Sequence, residues 1–284
     1  MAVIAILAPG AMGSAVARRL AEHGAAVLTS LAGRGPETRD RARAAGMVDA
    51  SDEQIAAADI ILSILPPGRA EALAQRLATA LGACHQPAVF VDCNAVDVRT
   101  VQRIAGIIGA SHARFVDGAI IGGPPKPGEP GPSFYLAGDP AADLACLGTL
   151  GLRIQVLEGP VGAASALKMA YAGITKGLTA LGAAMVLAAS RAGAAPALHR
   201  ELATSQPQLL GRFQSALPDM YAKADRWVAE MREIAAFAGE DGATARLYGA
   251  VADLYERLGA DFRGERLEIA RIDAFLGLAR SGDD

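Results

Sequence analysis

The chain has 284 residues, 52% of them hydrophobic and 20% charged, which is ample material for a large core and, at this length, for two domains. A formal net charge of −3 gives no general attraction to nucleic acid or to an anionic membrane, so anion recognition must come from a local site and the expected partner is a small molecule. The three cysteines, Cys84, Cys93 and Cys146, are widely spaced and form no C-x-x-C pair, which argues against a disulfide or a metal site and predicts reduced thiols in a cytoplasmic protein.

The opening run Met1–Ala8 is apolar, but no positive residue precedes it and the first arginine is Arg18. It therefore reads as a buried strand, not as a leader. From there on, short apolar runs alternate with helical segments. Strands are predicted over Val3–Leu7, Ala26–Ser30, Ile60–Ile64, Val89–Val91, Phe115–Ile121, Ser133–Ala137 and Ile154–Val156. Helices are predicted near Ala11–His23, Glu37–Ala45, Arg69–Leu81, Val98–Ile107 and Ala141–Leu150, with a short one opened by the capping pattern Ser51-x-x-Gln54. This is an α/β pattern and predicts an N-terminal Rossmann-type doubly wound sheet over residues 1–158. The Pro/Gly-rich stretch Gly122–Pro132 lies inside it and reads as a loop over a cleft.

Beyond Gly159 only helical runs are predicted, near Val161–Ala192, Ala197–Leu217, Pro218–Phe237, Ala243–Leu258 and Glu265–Leu278. Residues 159–284 are thus expected to form an all-helical substrate and dimerisation domain. In its first helix the only charges from Gly159 to Ser190 are Lys168 and Lys176. The uncharged stretch after Lys176 falls short of the roughly 18–20 residues that span a membrane, so a helix buried between protein surfaces is expected. The Ala- and Gly-rich helices leave more apolar surface than a lone bundle hides, which predicts a homodimer.

The first strand runs through Ala8-Pro9-Gly10-Ala11-Met12-Gly13 directly into a helix. Small residues there let the backbone approach a pyrophosphate, and the N–H groups of the helix start bind it. The first glycine of G-x-G-x-x-G is Ala8, so a mere tight turn stands as the bland alternative. At the end of the second strand, Val27-Leu-Thr-Ser-Leu-Ala-Gly-Arg34 lacks the carboxylate that usually holds a ribose without a 2′-phosphate. Thr29, Ser30 and Arg34 can donate to such a phosphate, which favours NADP over NAD unless Arg34 is only a solvated loop residue.

Only four lysines occur in the chain, and two of them, Lys168 and Lys176, share the long apolar helix. At 100° per residue, Ser165, Lys168, Ala172, Thr175, Lys176 and Thr179 fall within a wedge of about 100°. A desolvated lysine in such a stripe exchanges protons near neutrality and suits a general acid or base. The bland alternative is that both lysines snorkel to water. No G-x-S-x-G, H-E-x-x-H or G-x-x-x-x-G-K-[ST] pattern is present and the four histidines are scattered, which removes support from hydrolase, metalloenzyme and triphosphatase readings. Cys93 reads as core and not as a nucleophile, and Trp227, beside Arg226 and Glu230, reads as packing.

Taken in order, these segments resemble the β-hydroxyacid dehydrogenase superfamily, which includes 3-hydroxyisobutyrate and 6-phosphogluconate dehydrogenases and the imine reductases. Ala8–Gly13 resembles the family's G-x-G-x-M-G, and Ser63-Ile-Leu-Pro-Pro67 the strand and loop along the cofactor, which implies cofactor contacts at Leu65 and Pro66. Asp92-Cys-Asn-Ala-Val-Asp97 is similar to D-x-S-T and implies Asn94 near the nicotinamide. Asp117-Gly-Ala-Ile-Ile-Gly-Gly123 resembles the substrate loop, implying roles for Gly122 and Gly123, and Gly159–Lys168 matches G-x-x-G-x-G-x-x-x-K, implying that Lys168 is catalytic. Two family polar groups are replaced, by Ile121 and Ala172, and phosphogluconate itself is not the expected substrate. Tyr171 and Thr175 stand where phosphogluconate dehydrogenases carry a histidine and an acid. The Lys-Met helix and Arg226–Met231 resemble a poorly characterised branch whose C-terminal domain is named only for similarity to phosphogluconate dehydrogenases.

The expectation is an NADP-dependent oxidoreductase for a small, anionic hydroxy acid or related alcohol or carbonyl compound. Lys126, Thr175 and Lys176 are secondary candidates for the substrate's anionic group. The alternatives are an imine reductase, which commonly lacks the lysine, and a sensor that binds NADP(H) without catalysis, motivated by Ile121 and Ala172.

Overall fold

The computed structural model describes residues 1–239 and 241–278. The chain divides into two compact units, the first Met1–Met169 and the second beginning at Ala170.

In the first unit, β1 (Val3–Leu7), β2 (Ala26–Thr29), β3 (Met47–Asp49), β4 (Ile60–Ser63), β5 (Val89–Asp92), β6 (Phe115–Ile121), β7 (Ser133–Ala137) and β8 (Arg153–Val156) form one sheet in the order β3-β2-β1-β4-β5-β6-β7-β8. The first six strands run parallel; β7 is antiparallel to β6, and β8 is parallel to β7. Strand order reverses between β1 and β4, and in such sheets the crevice beyond the carboxyl ends at that point is where ligands bind. Helices α1 (Ala11–Glu22), α2 (Pro36–Ala44), α3 (Asp52–Ala56), α4 (Ala70–Ala83) and α5 (Val98–Gly109) connect the strands.

Residues alternate between the two faces of each strand, which makes two cores. On one face Ile4, Ile6, Leu62, Val91 and Val116 pack with Val16 and Leu20 of α1. On the other, Ala5, Leu7, Ile61 and Phe90 pack with Leu73 and Leu77 of α4 and with Val101, Ile104 and Ile108 of α5. Helix starts follow local chemistry. Ser51 and Gln54 close the expected capping box of α3, and the Asp97 side chain accepts from the Arg99 and Thr100 N–H groups at the start of α5.

The long helix α6 (Ala163–Arg191) begins in the first unit and continues into the second, which also holds α7 (Ala195–Ser205), α8 (Pro207–Tyr221), α9 (Ala224–Ala238), α10 (Gly242–Arg263) and α11 (Leu267–Leu276). The change from strands to helices follows Val156, close to residue 158, whereas the compact units meet at Met169, because the first turn of α6 is bonded to β6. Phe213, Leu217, Met220, Trp227, Met231, Tyr255 and Ile272 are buried in the second unit.

The structure departs from the sequence expectation in four places. Strand β3 is three residues long, too short for a periodicity signal. The segment expected as a helix over Ala141–Leu150 is a 3₁₀ helix over Asp139–Gly148. The run expected as one helix from Ala197 to Leu217 breaks at Gln206, and Pro218, expected to start a helix, lies inside α8; the prolines that open α7 and α8 are Pro196 and Pro207. Finally, α6 is long and apolar enough to cross a membrane by length and composition, and 44% of that window is buried. Ala180, Ala183, Val186 and Leu187 are buried, but Tyr171, Ile174, Leu181 and Met185 are exposed along one stripe, so the described residues cover only part of the helix.

Candidate active site

At the carboxyl end of β1 the chain turns through Ala8–Gly10 into α1. Gly10 is the extended N-cap residue and offers no side-chain cap to the first N–H groups of the helix. Gly13 has to be glycine: a Cβ there would lie 2.1 Å from the Ala8 carbonyl oxygen. That close approach draws strand and helix together and leaves Gly10 and Ala11 exposed, with Met12 half-buried. An anionic pyrophosphate fits such a start, where uncapped N–H groups and the helix dipole point outward.

Around this cradle Ser30 is buried at the end of β2 and Arg34 is half-buried. Thr29, expected to donate to a phosphate, does not face the cradle. Its hydroxyl donates to the Ile6 carbonyl at 2.8 Å and the residue is fully buried, so Thr29 ties β2 to β1. Two arginines not foreseen in the sequence converge here. Arg39 donates to the carbonyls of Leu31 and Arg34, both at 2.9 Å, and Arg41 donates to the Pro9 carbonyl at 3.3 Å. A carboxylate is also present after all: Asp49 of β3 accepts from the Leu31 N–H at 2.8 Å.

Register builds the second half of the site. Ser63 and Asp92, the last residues of β4 and β5, lie side by side with Asp117 in the first half of β6, and all three are buried. Asn94, just past β5, donates from Nδ2 to Ser63 Oγ at 2.8 Å, while its Oδ1 accepts from the Leu65 N–H. Asn94 thus braces the Leu65–Pro66 loop expected along the cofactor.

Asp117 organises the start of α6. Its Oδ2 accepts from the N–H groups of Gly162, Ala164 and Ser165 at 2.9, 2.9 and 3.1 Å, and its Oδ1 accepts from Ser165 Oγ at 2.7 Å. This is helix capping delivered by a neighbouring strand, with a carboxylate at the positive end of the dipole. Burial pushes the Asp117 carboxyl upward, while these four hydrogen bonds pull it down. The anchored turn sets Lys168 so that its Nζ donates to the Cys93 carbonyl at 3.4 Å. Burial lowers the proton affinity of Lys168, against the opposing pull of Cys93, Asp92 and Asp117. Burial pushes the Asp92 carboxyl up to about 7, with Asn94 N–H holding it down and the Asp117 charge raising it. Burial drives the Cys93 thiol far upward; it is not a thiolate, as its reading as core requires.

The other expected site residues are placed as follows. Gly122 and Gly123 are exposed at the end of β6. Lys126 lies in an exposed pair with Glu129. Its loop is pinned to α1, because Arg19 Nη2 donates to the Lys126 and Glu129 carbonyls at 2.8 and 2.9 Å. Thr175 and Lys176 belong to the second unit and are engaged there. Thr175 Oγ1 donates to the Tyr171 carbonyl at 2.9 Å, and Lys176 pairs with Glu230 and lies 5.0 Å from the centre of the Trp227 ring. No group of three or more His, Cys, Asp or Glu residues that could hold a metal occurs among the described residues.

Sequence reasoning missed Arg39, Arg41 and Asp49, and assigned no role to Asp92 or to Asp117. Arg41 had an available signal, an arginine one turn into the helix after β2. The Asp117–Ser165 bond had none, since the partners are far apart in sequence.

An anion cradle at the switch point of a parallel sheet, beside a desolvated lysine at the same carboxyl edge, is an arrangement suited to dinucleotide binding and proton transfer. Residues 3–147 match the family described as the NAD binding domain of 6-phosphogluconate dehydrogenase, and residues 189–258 match a domain of unknown function, DUF1932. The chain belongs to the β-hydroxyacid dehydrogenase superfamily and is an NAD(P)-dependent oxidoreductase. Among solved structures it is similar to the conserved protein MTH1747 of unknown function, itself described as structurally similar to 3-hydroxyacid dehydrogenases, at 29% identity and a TM-score of 0.71 over 93% of this chain and 98% of that one. A conserved hypothetical protein from Sinorhizobium meliloti 1021 is 25% identical with a TM-score of 0.75, covering 97% of each chain. Mycobacterium tuberculosis 3-hydroxyisobutyrate dehydrogenase with L-serine shares the fold at 19% identity and a TM-score of 0.71, over 99% of this chain and 100% of that one. No curated protein matches the chain.

Proposed function

We propose that the protein is an NADP-dependent oxidoreductase acting on a small hydroxy acid or a related alcohol or carbonyl compound, with Lys168 as its general acid and base. The observation that carries this reading is the Lys168 amine, held by an anchored helix turn at the carboxyl end of β5, with its proton affinity lowered by burial. An amine so placed takes the proton of a substrate hydroxyl in one direction and returns it to a carbonyl oxygen in the other. When bound, the nicotinamide accepts or supplies the hydride. Gly10, Ala11, Met12 and Gly13 hold the pyrophosphate, Leu65 and Pro66 flank the cofactor, and Asn94 keeps that loop in place. Ser30 and Arg34 receive the 2′-phosphate, supported by Arg39 and Arg41, whose contacts with the Arg34 and Pro9 carbonyls bring positive charge to the same edge. Gly122, Gly123 and Lys126 are the groups offered to an anionic substrate. Lys176 is not among them, because Glu230 already holds its ammonium.

The working form in this reading is a cytoplasmic homodimer, with no nucleic acid or membrane partner. On the second unit the exposed stripe of α6 borders an apolar groove of about 420 Å³ lined by Gly173, Gly177, Leu247, Val251 and Leu254 among others. A two-fold interface needs ridge and groove on the same subunit, and both are here. Light scattering at micromolar concentration is expected to give a dimer; a monomer, or a species soluble only with detergent, overturns this.

The functional test is fluorescence titration with NADPH and NADH for the wild type, Arg34→Ala and Arg41→Ala, followed by turnover of a panel of hydroxy acids, aldehydes and imines. Preferential NADPH binding, weakened about tenfold by either substitution, and turnover of a hydroxy acid or aldehyde are expected. Turnover confined to imines would make it an imine reductase. Failure to bind either nucleotide would remove the proposal.

A further inference from the structure

The row of buried polar groups Ser63, Asp92 and Asp117, side by side across β4, β5 and β6, is satisfied unequally. Ser63 receives the Asn94 amide, and Asp117 receives four donors. Asp92, between them, accepts at Oδ1 from the Asn94 N–H at 2.8 Å, while its Oδ2 is buried without a hydrogen-bond partner among the described residues. An unpartnered buried carboxylate oxygen is costly, and such a group calls for a physical explanation. Asp92 is also held tightly. Opposite it, a Cβ on Gly118 would lie 2.9 Å from both the Asp92 carbonyl oxygen and Cys93 Sγ, so only glycine lets β6 approach the end of β5 this closely.

The cation whose charge acts on Asp92 is Lys168, whose Nζ rests on the carbonyl of the residue next to Asp92. Three ionisable groups act on that amine, Cys93, Asp92 and Asp117. The Cys93 thiol stays neutral, and Asp117 is committed to the first turn of α6. Asp92 alone among the three keeps a buried, unengaged oxygen.

We propose that Asp92 is a positioning residue for Lys168: its unpartnered carboxylate is the counter-charge that stabilises the ammonium formed when the lysine takes a proton from the substrate. In that step the substrate O–H bond breaks and an N–H bond forms on Nζ. The positive charge appears where little water can solvate it, and a fixed negative charge nearby lowers its cost. Burial raises Asp92 and lowers Lys168, so the two converge and titrate as a coupled pair. This inference rests on the reading of Lys168 as the general acid and base.

With only four lysines, the chain suits carbon-13 lysine labelling, which gives one Cε signal for each of Lys126, Lys168, Lys176 and Lys223, assigned by single Lys→Arg changes. The full chain, without added cofactor, is titrated as wild type and as Asp92→Asn. Removing the charge is expected to lower the proton affinity of Lys168 about tenfold while the Lys176 signal keeps its midpoint. In the wild type alone, the Lys168 signal is expected to show a second inflection near neutral pH, from Asp92. An unmoved Lys168 midpoint in a folded variant overturns the inference, and so does a single inflection in the wild type should the variant not fold. Loss of nucleotide binding in the earlier titrations would strike the functional reading and leave this coupling standing.

Discussion

Lys168 and Lys176 lie about two turns apart on one helix, and each meets a different kind of surrounding. Lys176 has a carboxylate within ion-pair reach, with both side chains mostly buried, and an indole face beneath it; its helix turn is held by Tyr255, whose hydroxyl donates to the Lys176 carbonyl at 2.6 Å. Lys168 reaches a main-chain carbonyl, and the carboxylates that act on it are bonded elsewhere or leave an oxygen unpaired. A lysine with its own dedicated carboxylate is part of the scaffold. A lysine held in a dry place, acted on by a carboxylate to which it is not bonded, has a lowered proton affinity and can exchange its proton.

The comparison breaks most visibly if the two lysines are removed in turn. Lys168→Ala is expected to cut turnover by about 10²–10⁴-fold with NADPH affinity retained, the range for loss of a general acid or base; unchanged turnover would end its catalytic role. Lys176→Met is expected to cost about 3–5 kcal/mol of stability, because it strands the Glu230 charge. Adding Glu230→Leu should recover most of that loss, and chemical denaturation of the single and double variants measures it. Asp117→Ala leaves the α6 N–H groups without their acceptor and is expected to cost about 3 kcal/mol, with a drop in turnover as Lys168 loses its anchor.

The effect of pH sharpens the contrast. Asp92 is raised on folding to about 7, so its contribution to stability is complete below about pH 4 and is lost as pH rises through about 7. Lys168 acts in the opposite sense: its folded proton affinity is lowered, so its contribution is lost as pH falls through its folded value. Between about pH 4 and about pH 7 the melting temperature of the wild type is expected to fall relative to that of Asp92→Asn, because only the wild type carries the Asp92 contribution. An equal slope in the two proteins would contradict the assignment. The smallest expected effect lies in the nucleotide region. Thr29→Val should cost about 1 kcal/mol through the lost bond to Ile6 and leave NADPH binding unchanged, whereas Ser30→Ala should weaken NADPH.

Much of the candidate site was legible as local sequence pattern. The fingerprint from Ala8 to Gly13, the strand ends before Leu65 and Asn94, and the polar stripe carrying both lysines are each contained in one segment, where spacing and residue size speak directly. The role of Thr29 was misread because its hydroxyl has two faces to choose from, and strand register decides which one it takes. The absence of a carboxylate at the end of β2 was a true statement about sequence and an incomplete one about space, since β3 brings Asp49 to Leu31.

By itself, then, the sequence determined the alternation of strands and helices, the doubly wound sheet, the glycine-dependent turn at its switch point, and the presence of two lysines in an apolar helix. Those features depend on hydrophobic period and on residue volume, which act over a few residues. Only the tertiary structure decided which lysine is ion-paired with a carboxylate and which rests on a main-chain carbonyl. It alone showed that a β6 aspartate caps α6, and that one oxygen of Asp92 has no donor among the described residues. Charge and hydrogen-bond satisfaction depend on which distant groups the fold brings within about 3 Å of each other, and no local period records that.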